Sequence, residues 1–359
     1  MIRHAWHFYY ALVLVIKVLC GSIVLRASHL NWALAFKQYL QHLEIMMKCE
    51  KCSEFRELPL HLHELYMFCD LLRNKSDVYK LSKKELKQET EAHTESIAKW
   101  LKLASQLDNV QLNPFRYEEA HFWCESAGDE LDSDASHNSS IITPLTRFLF
   151  ISNALEETYR FTNSQYEFHY ARAQLKNNSL ERKRNYSAQA AWLLDEVYSD
   201  LEVPLHYGHK VDGYLAQVKE YQKRFDNSFD IQLENNGKLS FGLSLVRNIR
   251  NHIAHGVFPI VDNPEYSHEC FNPKTKNLIL NILGFSSRIA TMNIQIILNA
   301  THHGFESEVY RYLCGDPDFG HKLEQCITPE YLRRLHLKQD FGLNESSQWA
   351  IRSTWEEEG

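Results

Sequence analysis

The chain has 359 residues, a formal net charge of −7 at pH 7 and 44% hydrophobic residues. A chain of this length and composition can bury a sizeable core, which excludes wholesale disorder. Only 13 Gly and 9 Pro are present, and this scarcity of turn residues favours long helices over a turn-rich β architecture. Because the net charge is negative, any contact with a nucleic acid must depend on a local positive patch and not on the electrostatic field of the whole molecule.

The N-terminal segment 1–45 contains an apolar run, 8–25, that approaches the length of a membrane span. Lys17 lies in the middle of this run, and a lysine there costs about 2.5–3.5 kcal/mol on insertion scales. Three interpretations stay open: a membrane anchor, a buried helix, or a start codon assigned too early. The lysine favours a cytoplasmic protein, which would be membrane-anchored only if 8–25 is a genuine span.

Eight cysteines are scattered along the chain, which is typical of reduced cytosolic thiols and not of a disulfide framework. Cys49 and Cys52 have the spacing of zinc ligands, and His61, His63 or Cys69 could complete a tetrahedral site. A single close pair is weak evidence, because a structural zinc site needs four ligands. We therefore favour two unrelated cysteines and expect no metal and no cofactor.

The remaining chain divides into four parts by its composition. Residues 46–125 predict a smaller, mostly helical N-terminal region of unknown role. Residues 126–140 are acidic, serine-rich and nearly free of large apolar side chains, so they predict a linker. Residues 141–300 predict a helical bundle with short connections, and 301–359 follow as a C-terminal extension. The expected fold class is all-α.

Five helices are predicted within the bundle because apolar residues recur there at helical spacing. They lie at about 144–174, 186–200, 211–225, 238–255 and 276–300. Pro144 is placed in the first turn of the first helix, where its fixed φ is tolerated. Gly256 is placed directly after the fourth helix, where glycine commonly ends a helix in the left-handed conformation.

The most informative stretch is 247–256, which contains two arginines, two asparagines and two histidines. The pattern Arg-Asn-x-x-x-His occurs in it twice, as Arg247-Asn248 to His252 and as Arg250-Asn251 to His255. A guanidinium binds phosphate through a rigid fork of donors, and an imidazole moves protons near neutral pH. Together they are the minimum set for metal-free cleavage of a phosphodiester. RNA is the natural substrate because its 2′-hydroxyl is a built-in nucleophile.

An ideal helix places Arg250 and His255 roughly 140° apart around its axis, so the two side chains do not point at the same place. Either the last turn is distorted or the long Arg250 side chain wraps around the helix. Arginine and histidine near a helix C-terminus can also merely cap carbonyls and solvate a surface. The duplicated pattern and the terminal glycine weaken that simpler interpretation.

The segment 250–256 resembles the signature of the HEPN superfamily, in which an arginine, usually followed by a polar residue, precedes a histidine by four to six intervening residues. The segment 148–156 is similar to the opening helix of the branch found in anti-phage, abortive-infection and Apea-like proteins. The resemblance covers about 144–300. It implies a helical bundle that dimerises around the motif helices and cleaves RNA without a metal, in a defence or toxin context.

The resemblance makes His255 the base, Arg250 the phosphate-binding cation and Asn251 the polar residue that orients them. Arg247 and His252 are then available for substrate phosphates. An alternative register instead assigns catalysis to Arg247, Asn248 and His252. Glu156 on the first helix is a weaker candidate for orienting the site, and a surface carboxylate is the favoured interpretation for it.

The expected function is that of a metal-independent endoribonuclease that leaves a 2′,3′-cyclic phosphate. No Walker loop, dinucleotide fingerprint or nucleophile elbow occurs, which removes the common ATP-, NAD- and serine-hydrolase classes. The alternative is a non-catalytic HEPN-like module that binds nucleotide or RNA or assembles proteins, which the negative charge favours. The expected partners are RNA and a regulatory protein or phage component that acts through 46–125.

A homodimer is expected because one Arg-His pair is a sparse active site. Its interface is predicted from an apolar surplus on the first and fifth helices, which comprises Phe148, Tyr159, Phe161, Ile294 and Ile297.

Overall fold

The computed structural model describes residues 49–72, 76–80, 87–91, 94–177, 179–225, 237–263, 265, 273–302 and 326–338. The predictions made for 1–45 lie outside these residues, as does most of the predicted 301–359 extension. Within the described ranges, no helix combines the length and the apolar character needed to cross a bilayer. The chain forms two compact units, Met1–Ser53 and Glu54–Gly359.

Of the first unit, the structure describes Cys49 and a short helix, α1 (Glu50–Ser53). The backbone amide of Cys52 donates to the carbonyl of Cys49 at 2.9 Å. Both cysteines are half-buried, and the expectation that they are unrelated to zinc stays a prediction.

The second unit is mostly helical, which confirms the predicted all-α class. Its helices are α2 (Leu58–Leu71), α3 (Glu95–Gln106), α4 (Glu125–Phe161), α5 (Asn163–Gln174), α6 (Tyr186–Trp192), α7 (Tyr207–Phe225), α8 (Phe241–Ala254), α9 (Pro273–Thr301) and α10 (Pro329–Arg334). Two short strands, β1 (Ser76–Lys80) and β2 (Lys87–Glu91), pair in antiparallel fashion between α2 and α3.

The predicted linker at 126–140 is wrong, because these residues form about the first four turns of α4, a single helix of 37 residues. Pro144 therefore lies inside a helix and does not begin one. His137 is the one buried residue of the segment, and its Nε2 lies 2.7 Å from the carbonyl oxygen of Val261. The other side chains of 126–140 lie on solvated faces, and such faces have the same acidic, serine-rich composition as a linker.

One hydrophobic core joins the described part of 54–125 to the predicted bundle, so the two are not separate domains. Leu62 of α2, Leu101 of α3 and Ile151 of α4 are all fully buried in this core. Helix α9 contributes Ile282, Ile289 and other residues that are fully buried. The amphipathic periods that predicted α8 and α9 are confirmed with small differences at their ends.

Residues 326–338 pack against the first residues of the second unit, 54–56, and we call this contact the closure of the unit. Phe55 and Leu337 form an isolated antiparallel bridge. The backbone amide of Arg56 donates to the carbonyl of His336 at 2.9 Å, and that of Lys338 donates to the carbonyl of Glu54 at 2.8 Å. These contacts join segments almost three hundred residues apart in the sequence.

A buried polar network lies beside this closure. The Arg288 guanidinium donates to Nδ1 of His61 at 2.8 Å and to the carbonyl of Arg56 at 2.6 Å. His61 Nε2 lies 3.0 Å from Oε1 of Gln295, and Arg56 lies 3.8 Å from the buried Glu64 carboxylate. Polar groups removed from water need such partners, because an unmatched buried group costs its full desolvation energy.

Candidate functional site

Helix α8 carries the Arg/His motif, and its apolar stripe fixes which face meets solvent. Leu243, Val246 and Ile249 are buried in the core at 2%, 1% and 0% exposure, which confirms the core face predicted from the sequence. Ser240 directly precedes α8, and its backbone amide and side-chain hydroxyl donate hydrogen bonds to the Asp195 carboxylate at 3.0 and 2.7 Å. This contact holds the start of α8 against the preceding helices.

Gly256 ends the helix in the left-handed conformation, with φ of 69°. The amide of Val257 donates to the carbonyl of His252 at 2.9 Å, and the amide of Gly256 donates to the carbonyl of Ile253 at 3.1 Å. These two bonds form a Schellman motif, which favours glycine at the left-handed position. The prediction for Gly256 is confirmed. The chain turns away immediately after His255 and leaves that residue at the helix end.

His255 is exposed at this end, whereas Arg247, Arg250 and Asn251 are half-buried. The backbone amide of His255 donates to the carbonyl of Asn251 at 2.9 Å. A base and two cations that the sequence selected are therefore all accessible from solvent along one helix. Their accessibility meets the first requirement for a site that acts on a macromolecular substrate.

Arg250 is directed toward α4, where its Nη1 lies 3.4 Å from Oε1 of Glu156. The Arg250 and Glu156 side chains are 39% and 34% exposed, respectively. Glu156 is thus a partly exposed carboxylate, and it also contacts the arginine of the motif. This contact joins α8 to α4 at the position of the motif arginine.

Tyr159 is a further residue at this place that the sequence did not assign to the site. It follows Glu156 by three residues on α4 and is only 2% exposed. Burial raises the pKa of Tyr159, the Glu156 carboxylate raises it further, and Arg247 and Arg250 lower it. Both arginines therefore lie close enough to act on the Tyr159 hydroxyl electrostatically. The i, i+3 spacing from Glu156 is the sequence signal that could have indicated it.

His252 lies in a different environment from His255. It is 1% exposed, its Nδ1 lies 3.2 Å from the Tyr221 hydroxyl, and burial lowers its pKa. This burial argues against the predicted contact of His252 with substrate phosphate. In the alternative register His252 would be the catalytic base, and a buried imidazole cannot reach the substrate. The assignment centred on Arg250 and His255 is therefore the better supported one.

The apolar surplus predicted as a dimer interface is wrong for four of its five residues. Phe148, Tyr159, Ile294 and Ile297 are 0–2% exposed within a single chain. They fill the core of that chain, and only the partly buried Phe161 borders its surface. The homodimer itself stays a prediction, and its interface would have to be formed by other residues.

The described residues thus bring together Arg247, Arg250, Glu156 and Tyr159 where α4 meets α8, with His255 at the end of α8. Comparison of the chain with protein-family models, with curated proteins and with solved structures gives no match.

Proposed function

We propose that this chain is a metal-independent endoribonuclease of the HEPN type. The observation that carries the proposal is the end of α8, where the exposed imidazole of His255 follows Arg250, a solvent-accessible cation that contacts Glu156. An imidazole and a guanidinium supply the proton transfer and the charge stabilisation that RNA cleavage requires.

In the proposed reaction, neutral His255 takes the proton from a ribose 2′-hydroxyl. The 2′-oxygen then forms a bond to phosphorus, and the bond from phosphorus to the 5′-oxygen breaks. The products are a 2′,3′-cyclic phosphate and a 5′-hydroxyl, whose oxygen receives a proton from the imidazolium or from water. Arg250 stabilises the negative charge that builds up on the phosphate oxygens. General acid–base help of this kind is typically worth about 10²–10⁴ in rate.

Asn251 and Arg247 support these two groups. The carbonyl of Asn251 accepts the amide of His255 at 2.9 Å, which fixes the backbone from which the base projects. Arg247 lies one turn before Asn251, is half-buried and can hold a phosphate of the same RNA strand.

The test is incubation of the purified full-length chain with tRNA and messenger RNA in excess EDTA. We expect cleavage products that end in a 2′,3′-cyclic phosphate, and a loss of about 10²-fold or more in rate for His255→Ala and for Arg250→Ala. Arg160→Ala is the matched control, because Arg160 also forms an ion pair on α4 but is 62% exposed and outside the site. Cleavage that requires added metal would contradict the proposal.

A second candidate is a binding or assembly module without catalysis. The observation that favours it is charge: Glu156 already balances Arg250, and the chain carries a net charge of −7. A module of this kind would bind RNA equally well as wild type and as His255→Ala, and neither protein would cleave it.

The proposal includes a homodimer, because a two-fold axis would place two arginines and two histidines in one cleft. Light scattering should report about twice the chain mass of 42.2 kDa. If sites are shared, mixing Arg250→Ala chains with His255→Ala chains should restore part of the activity. A fully active monomer at nanomolar concentration would rule this out.

A further inference from the structure

An exposed segment rich in aromatic residues connects α3 to α4, and we call residues 115–123 the aromatic turn. Four of its nine residues are aromatic. Tyr117, Phe122 and Trp123 are 84%, 71% and 86% exposed, respectively. Single apolar side chains on a surface are ordinary, whereas three large ones within seven residues point to a binding surface. The proposed ribonuclease site on α8 uses none of them.

The aromatic turn has a folded support. A 3-10 helix spans Ala120–Phe122, and it packs against α4. The half-buried His121 ring contacts two aromatic neighbours, at centroid distances of 4.5 Å to Phe115 and 4.0 Å to Phe122. Phe122 is therefore presented to solvent on an ordered base, which reduces the entropy lost when a partner binds.

The surface around the aromatic turn is acidic. Residues 116–130 carry five carboxylates and one arginine. All five carboxylates are exposed, and they belong to Glu118, Glu119, Glu125, Asp129 and Glu130. Residues four apart share one face of a helix, so Glu125 and Asp129 form an acidic edge of α4 that begins two residues after Trp123. Exposed aromatic rings thus lie next to an excess of negative charge.

Arg116 illustrates which chemical group such a surface attracts. Its guanidinium carbon lies 5.3 Å from the centroid of the Tyr117 ring, which is within the range of a cation–π interaction. The face of an aromatic ring attracts a cation, and a nearby carboxylate adds Coulomb attraction and hydrogen-bond acceptors. Phe122 and Trp123, followed by Glu125, offer the same combination to a cation from another molecule.

We infer that the aromatic turn and the first two turns of α4 form a docking surface for a basic segment of a partner protein. Arginine or lysine side chains of that segment stack on Phe122 and Trp123 and pair with the carboxylates. The inference does not depend on the proposed ribonuclease activity.

The negative charge distinguishes this partner from two others. Bases of single-stranded RNA also stack on exposed aromatic rings, but the five carboxylates repel a phosphate backbone. A second copy of the chain, docked through the same surface, would bring a second set of carboxylates against the first. Only a partner with positive charge gains from both the rings and the carboxylates.

The experiment measures binding of a fluorescently labelled nonapeptide of arginine to the full chain by fluorescence anisotropy. Physiological ionic strength screens the long-range attraction to the acidic chain as a whole. Trp123→Ala leaves the charge unchanged and should weaken binding about ten-fold, as expected for the loss of an aromatic anchor. Leu175→Ala is the matched control and should bind like wild type. Leu175 is 84% exposed and lies on the segment that follows the opposite end of α4.

The contribution of charge is tested with a second pair of variants. Glu125→Gln should weaken peptide binding about three-fold, which is the range of an exposed ion pair. Glu181→Gln removes an exposed carboxylate from the segment before α6 and should have little effect. An equal loss in both variants would show a non-specific attraction to the acidic chain and would overturn the docking surface.

Equal peptide binding by wild type and Trp123→Ala, or no binding by wild type, would also overturn it. A nine-nucleotide single-stranded RNA is the parallel probe. Binding of this RNA but not of the peptide, lost in Trp123→Ala, would assign the surface to a nucleic acid instead. Dimerisation that Trp123→Ala abolishes would assign it to a second copy. Cleavage of RNA by Trp123→Ala should match wild type, so the docking surface and the ribonuclease proposal can fail separately.

Discussion

The Tyr221 hydroxyl lies 3.2 Å from Nδ1 of His252, and this contact ties α7 to the motif helix. Phe258, just beyond the end of α8, stacks on Tyr221 with ring centroids 5.9 Å apart. The inner histidine thus belongs to a buried cluster, whereas His255, three residues later, is exposed. Two histidines of one short motif therefore have different physical roles.

Substitution of the two histidines should separate stability from activity. His255→Ala should leave the free energy of unfolding unchanged, because the side chain is exposed, and should abolish most RNA cleavage. His252→Ala should lower the free energy of unfolding by about 1–3 kcal/mol, because it removes a buried imidazole and its contact with the Tyr221 hydroxyl. Urea denaturation and a cleavage assay on the same preparations test both. Full activity in His255→Ala would contradict the assignment of the base.

The buried network at the closure of the second unit predicts sensitivity to acid. Burial lowers the pKa of His336 to about 3, and the charges of Arg288, His206 and Arg56 contribute. The pKa of His61 is also lowered well below its usual value, by burial first and then by Arg288. In the unfolded chain a histidine titrates near pH 6.5. The unfolded state therefore binds more protons below that pH, and the free energy of unfolding should fall as pH falls from about 6.5 toward about 3.

The measurement is urea denaturation of the full chain between pH 7.5 and pH 4. His336→Gln removes one titrating group and keeps an amide that can donate to the carbonyl of Leu205, which lies 2.8 Å from Nε2 of His336. It should reduce the dependence on pH. His255→Gln is the exposed control and should retain the wild-type slope. An equal slope in both variants would show that His336 does not carry the effect.

Cys124 should react with alkylating agents faster than the buried Cys69. It is exposed, and its pKa is lowered by a hydrogen bond with the Ser126 side chain and by the amide of Ala127. Its position just before α4 adds the field of the helix N-terminus. Burial raises the pKa of Cys69. Mass spectrometry after brief iodoacetamide treatment at pH 7.5 measures both rates. Ser126→Ala should slow the reaction at Cys124, and similar rates at the two cysteines would contradict the prediction.

The predicted bundle alone, 141–300, should not fold. The fragment lacks the part of the core that α2, α3 and α10 supply, including Leu62, Leu101 and Leu332, which are fully buried in the whole chain. Each such side chain contributes about 1.5–3 kcal/mol when buried, and a whole domain is stable by only about 5–15 kcal/mol. Circular dichroism should show no cooperative thermal transition for this fragment. A fragment 54–338 is the control and should melt cooperatively, and a sharp transition for 141–300 would contradict the single core.

The sequence predicted those features that depend on local pattern. The core face of α8 and the turn at Gly256 follow from apolar spacing and from the conformational freedom of glycine. The burial of His252 had a signal as well, because it lies three residues after Ile249 and so borders the core stripe. The ion pair between Glu156 and Arg250 had none, because it depends on how two helices distant in sequence pack. The prediction of a linker at 126–140 failed because amino-acid composition does not distinguish a solvated helix face from an irregular segment.

The closure between Glu54–Arg56 and His336–Lys338 also sets the order in which the chain can complete its fold during synthesis. The ribosome releases the motif helix α8 well before residues 336–338, and contacts this distant in sequence form only after a long loop has closed. Arg56, whose carbonyl accepts a hydrogen bond from Arg288, donates from its own side chain to the carbonyl of Leu337. This last hydrogen bond cannot form until Leu337 has been synthesised. A nascent chain therefore exposes parts of its core until synthesis passes residue 338, which makes chaperone binding during translation a physical expectation for this protein.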